Sequence, residues 1–353
     1  MTTRRIWVRL LVSPRRVIAL LGTLAVLSAA GFAVARPSVQ LASNCGRGGY
    51  EEEEQQQEQD QERDQEKDED KAEEHSEDAS HEKAEEDEHQ KHKHECPPPH
   101  KHKQGHYEVA EDGGVFAFGD APFFGSAAKE PLAAPVVGMT DLPDNKGYWL
   151  VAKDGGVFTY GQADYFGSMG GQHLNSPIVS IASTPDGGGY WLAAADGGVF
   201  AFGNAQFFGS EGGQRLNSPI IGIAPTHKGN GYWLVAKDGG VFTHGDARFF
   251  GSMGGQHLNA LIVDITQTAS GRGYWLAAAD GGVFAFGDAP FLGSMGGQHL
   301  NKPITGIDRD RDGDGYWLNA ADGGIFSFGG AEFHGSLGSV VPNRPIVGIS
   351  ATS

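Results

Sequence analysis

The densest run of potential ligands is Asp308-Arg309-Asp310-Arg311-Asp312-Gly313-Asp314. Carboxylates at alternate positions, with a glycine to fold the chain back, suit a hard cation. Asp308, Asp310, Asp312 and Asp314 are therefore candidate metal ligands, and calcium the candidate cofactor. A second set recurs along the chain. Gln172, His173 and Asn175 stand in a loop that returns as Gln214 and Asn217, as Gln256, His257 and Asn259, and as Gln298, His299 and Asn301. Joining two strands requires only turn-forming residues. Amides and imidazoles in a loop add donors and acceptors, which suit a hydroxyl-bearing ligand; alternatively, they brace one loop against the next. Several weak, like sites would favour a repetitive polymer through avidity.

Catalysis would need a nucleophile, a base and an orienting group placed asymmetrically. The copies offer near-equal residues, without a distinct Ser/His/Asp set or carboxylate pair. His244 and His334 interrupt aromatic positions, each alone. The expectation is a non-enzyme. Trp149, Trp191, Trp233, Trp275 and Trp317 resemble stacking platforms, but one fixed mid-strand position suits packing between neighbouring sheets better. Asp112, Asp154, Asp196, Asp238, Asp280 and Asp322 each precede a Gly-Gly pair, where a carboxylate caps its own turn.

These residues are positioned by a repeat. Gly147-Tyr148-Trp149-Leu150-Val151-Ala152-Lys153-Asp154-Gly155-Gly156-Val157-Phe158 returns from Gly189, Gly231, Gly273 and Gly315, and a divergent copy starts at Gly105. Gly-Gly pairs at 113, 155, 197, 239, 281 and 323 give a constant step of 42 residues. Each unit reads as four short strands: Tyr148–Ala152, Val157–Tyr160, Asp164–Phe166 and Ile178–Ala182. Val157 and Phe158 point to opposite faces and both are apolar, so each sheet needs a neighbour on both sides. Radial stacking supplies that, and the predicted fold is an all-β, six-bladed β-propeller over 105–353. Strand 346–350 would complete the sheet begun at Tyr107; a hairpin solenoid is the alternative. With the Pro-Ile strands innermost, the Gln/His/Asn loops and the Asp-Gly-Gly turns share one rim.

The flanks differ in kind. Residues 1–35 combine five arginines with the uncharged apolar run 17–35 ending in Ala33-Val34-Ala35, which reads as a cleaved signal peptide or as a membrane anchor. Either way the expected location is extracytoplasmic, secreted or membrane-anchored. Residues 36–104 form a charged spacer. Within it, 51–104 carry 22 Asp or Glu against 8 Lys or Arg, and 51–95 contain no Val, Ile, Leu, Met or aromatic residue. Such a segment cannot bury a core. Its histidines, including His92, His94, His100 and His102, suit zinc, copper or nickel but lack a fixed four-ligand spacing. Cys45 and Cys96 flank the acidic run and are able to pair across it, to bridge to another chain, or to remain free thiols. No basic stripe marks a nucleic-acid surface.

The unit Gly-Tyr-Trp-Leu-x-Ala-x-Asp-Gly-Gly-Val-Phe resembles the repeats of exported actinobacterial proteins. More loosely, its hairpin is similar to that of the tectonin and tachylectin sugar-binding propellers. The Asp308–Asp314 turn resembles the loops of dockerins and FG-GAP repeats, though Asn319 stands where an EF-hand has its bidentate Glu. The resemblance implies a cell-envelope protein without a defined reaction. The expected function is binding of an envelope or host glycan or wall polymer by a monomer. The alternatives are a protein-interaction scaffold and a propeller hydrolase.

Overall fold

The computed structural model describes residues 104–338 and 340–352. The signal or anchor segment, the charged spacer up to residue 103 and both cysteines lie outside the described residues.

Within them every element is a strand. β1 (Gly105–Ala110) and β2 (Val115–Gly119) form the opening hairpin. β3 (Val136–Asp141), β4 (Gly147–Ala152) and β5 (Val157–Gly161) make an antiparallel sheet. The pattern repeats as β6 (Ile178–Ser183), β7 (Gly189–Ala194) and β8 (Val199–Gly203), then as β9 (Ile220–Pro225), β10 (Gly231–Ala236) and β11 (Val241–Gly245). It continues with β12 (Ile262–Gln267), β13 (Gly273–Ala278) and β14 (Val283–Gly287), and with β15 (Ile304–Arg309), β16 (Gly315–Ala320) and β17 (Ile325–Gly329). β18 (Ile346–Ala351) returns to β1 and gives a sixth sheet, β18-β1-β2.

β18 completes the sheet begun at Tyr107, as expected, with Tyr107 opposite Ser350 and Glu108 opposite Ile349. Thr352 seals it: its backbone N donates to Gly105 O (3.0 Å), and its Oγ1 accepts from Gly105 N (2.9 Å). The Pro-Ile strands lie side by side, β3 by β6, β6 by β9, β9 by β12, β12 by β15 and β15 by β18, with β18 also beside β3. The arrangement is propeller-like, and each sheet is itself open.

The sheets have three strands, not four. Asp164–Phe166 and its equivalents are not strands. Pro122 and Pro290 occupy two of the copies and cannot donate to a ladder. Aromatic side chains hold this outer segment instead. Trp149 Nε1 donates to Asp164 O (2.8 Å), while Tyr190, from the next sheet, donates its hydroxyl to Gly167 O and accepts from Phe166 N (3.3 Å). The five repeat tryptophans are buried, at most 1% exposed, and make ring contacts such as Trp149–Tyr190 (5.5 Å) across the joints between sheets. They are packing residues. All six turn aspartates cap their own turns, as in Asp154 Oδ1 accepting from Gly156 N at 3.0 Å.

Candidate functional site

Each long loop is tied at its base to the neighbouring Asp-Gly-Gly turn. Met169 N donates to Gly155 O (2.9 Å) and Ile178 N to Lys153 O (3.0 Å), so loop and turn share one edge. Gly155 must be glycine: its φ is +81°, and a Cβ there would lie 2.5 Å from Met169 Cβ. Leu174, Leu216, Leu258 and Leu300 pack against the core and anchor the far side of each loop.

Between these anchors the tips are solvent-facing. Gln172, His173, Asn175, Gln214, Asn217, Gln256, His257, Asn259, Gln298, His299 and Asn301 are all exposed. The loops thus present the same donors and acceptors four times around the repeat.

The aspartate turn is arranged otherwise. Asp308 lies at the inner strand, where Oδ1 accepts from Arg309 N (2.9 Å) and Thr266 Oγ1 (3.1 Å) and Oδ2 from Ala351 N (2.9 Å). Asp310 caps the turn, its Oδ1 accepting from Gly313 N and Gly315 N (both 2.9 Å), as Thr184 Oγ1 accepts from Gly189 N in its repeat. Burial and the neighbouring Asp314 push Asp310 up to about 6. Asp312 accepts from Gln104 Nε2 (2.7 Å). Asp310 and Asp314 are neighbours, but among the described residues no group of three or more His, Cys, Asp or Glu is placed to hold a metal.

Three features escaped the sequence reading. The first is a ring of exposed aromatics, Phe123, Tyr165, Phe207, Phe249, Phe291 and Phe333, each 60–63% exposed. They fall within the segment expected as a third strand. The signal was available: the residue before each ring is Pro, Asp, Gln, Arg, Pro or Glu, while the ring itself is kept in all six copies. The rings at 165, 207, 249 and 291 sit on backbone pinned from both sides by Trp and Tyr hydrogen bonds, while Phe123 has Tyr107 in place of the Trp, its hydroxyl donating to Pro122 O (2.9 Å), and Phe333 has the Trp317 bond without a Tyr.

The second is a central cavity of about 370 Å³ between the inner strands. Asp264 and Asp308 line it. Asp264 bridges two sheets, Oδ1 accepting from Ile265 N (2.8 Å) and Oδ2 from Ile307 N (3.1 Å). Enclosure, with Asp308 nearby, pushes Asp264 up to about 7, and burial raises Asp308 as well. Asp264 was legible only as a departure from the Gly or Ser at the same place in the other Pro-Ile strands, Gly138, Ser180, Gly222, Gly306 and Gly348.

The third is the set of neighbours that His244 and His334 meet, since neither is alone. His244 Nε2 lies 3.3 Å from Glu211 Oε1, and Glu211 itself replaces the methionine found at 169, 253 and 295. His334 lies tilted against Trp317 and His106, at ring distances of 5.9 and 6.4 Å.

Charge is not confined to the spacer. Residues 105–353 hold 12 Lys or Arg against 23 Asp or Glu, a net −11. Compared with known proteins, the chain matches no family model and no curated protein.

Proposed function

We propose that residues 105–353 form a six-bladed β-propeller that binds a neutral, repetitive glycan or wall polymer outside the cytoplasm, without catalysis. One observation carries this reading. The same connecting segment of every repeat offers an exposed aromatic ring, and in four repeats exposed Gln and Asn side chains follow it. A flat ring and nearby amides recognise the two faces of a sugar, its C–H surface and its hydroxyls. Recurrence gives many weak sites, which a polymer engages together. The net −11 of the repeats weighs against an anionic polymer. Export through residues 1–35, as a secreted or anchored protein, is part of the same proposal.

The test is co-sedimentation of the full chain with insoluble wall polysaccharide. Replacing Gln172, His173, Gln256 and His257 together by Ala, and separately Phe207 and Phe249 by Ser, is expected to weaken retention, with the circular dichroism spectrum unchanged. Retention equal to the parent's in both variants, or none by the parent on any glycan, refutes the reading. Calcium at Asp308, Asp310, Asp312 and Asp314 is a separate proposal, resting on the sequence pattern alone. Millimolar calcium should then raise the melting temperature by mass action; an unchanged melting curve discards it.

A further inference from the structure

Polar replacements of apolar residues gather at one of the six joints between neighbouring sheets, apart from the His244–Glu211 pair at another. Where the sheet β15-β16-β17 meets β18-β1-β2, His106 and Glu108 replace the Tyr and Leu found at 148 and 150. Asn319 replaces the Val or Ala found at 151, 193, 235 and 277, and His334 the Phe or Leu at 166, 208, 250 and 292. All these departures fall on one joint, with His106 5.8 Å from Trp317 and 5.0 Å from Phe118 between ring centres. His106, Glu108 and Asn319 are 0% exposed. Their His106 Nδ1 and Nε2, Glu108 Oε1 and Oε2 and Asn319 Oδ1, together with Ser327 Oγ and His334 Nε2, are buried without a hydrogen-bond partner. Buried polar groups left unpaired are costly, and here they are concentrated where the first and last strands meet.

We propose that this joint is a built-in opening point of the ring, held shut only while His106 and Glu108 are both uncharged. The groups around it act in known directions. His106 is held down at about 4 by burial and by His334, so acid favours an open state in which it can take a proton. Glu108 is pushed up to about 8 by burial and by Asp322, so alkali favours an open state in which it can release one. β2 and β18 bring only Phe116, Phe118, Ile349 and Ala351 opposite these two residues. Asp308, whose carboxylate reaches across the joint to Ala351 N, is raised by burial and adds to the alkaline arm despite Arg309 beside it. With open-state groups at their ordinary values, the two arms from His106 and Glu108 make opening least near pH 5.5 and roughly 25-fold greater at pH 9.

The test is hydrogen exchange of the full chain at pH 5.5 and 9, corrected for the intrinsic rate and followed by mass spectrometry. Peptides from β1, β16 and β18 should lose protection with pH by that factor, while those from β7 and β10 change much less. Glu108→Gln should cut the ratio at least tenfold, because the titrating group is gone while the shape is kept. His106→Phe should enlarge it, because the opposing arm is lost. An equal response in all six sheets, or a Glu108→Gln variant with the parent's ratio, overturns the proposal. The regional comparison in the parent decides the matter even if a variant fails to fold.

Discussion

Tyr232→Phe isolates the device that replaces a fourth strand. The ring is fully buried among Trp191, Phe208 and His244, and Phe keeps that packing. Only the hydroxyl is lost, and with it two bonds: its donation to Gly209 O and its acceptance from Phe208 N (3.2 Å). Each bond contributes about 1 kcal/mol net, and a part-buried group left unpaired costs somewhat more, so the loss should be about 1–3 kcal/mol. That corresponds to a roughly 5- to 150-fold increase in local opening of the segment presenting Phe207. Amide exchange measured by NMR should show it at Phe208. Phe250, held in the same way by the hydroxyl of Tyr274, serves as an internal control, because that bond is untouched (3.3 Å). The strand amide of Trp233 should keep its protection. Unchanged exchange at Phe208, or equal loss at Phe208, Phe250 and Trp233, would show that the hydroxyl does not hold this segment locally.

Other outcomes follow from the same geometry. Removing residues 345–353 takes away β18 and bares the β1 edge, so the shortened chain should aggregate or melt far below the parent in a thermal scan. Glu108→Leu should stabilise increasingly with pH. The folded Glu108 is raised to about 8 from 4.5, so the parent loses stability as pH rises through that window, and the variant gains up to about 5 kcal/mol above pH 8 and none from this source below 4.5, as read by urea titrations. Asp310→Ala should cost about 1–3 kcal/mol in calcium-free buffer, because the amides of Gly313 and Gly315 lose their acceptor, whereas Asp310→Thr should be milder, since Thr caps the equivalent turn at 184; urea midpoints compare them.

Much of the architecture was legible from the spacing of Asp-Gly-Gly-Val-Phe alone. A positive-φ turn every 42 residues sets hairpins of constant length, and strands apolar on both faces must stack on one another. The partner of β1 was legible too, because the repeats start with a Tyr-type strand that lacks a preceding Pro-Ile strand, while the last Pro-Ile strand lacks a following Tyr-type strand. Local pattern failed at Asp164–Phe166. An aromatic pair between turns looks like a strand, but whether it pairs depends on Trp149 and Tyr190, the latter from another sheet. In the aspartate turn, too, the sequence shows spacing and only the structure shows partners. Alternation puts Asp308, Asp310, Asp312 and Asp314 near one another in sequence, yet Asp308 belongs to a strand whose neighbours offer it backbone amides and Thr266, while Asp310 is needed to cap the turn. The odd residues of the first and last repeats, His106, Glu108, Asn319 and His334, are visible in the sequence one at a time. Only the tertiary structure brings them to a single joint, because β18 carries the far end of the chain back to β1 and sets the faces of two distant repeats against each other.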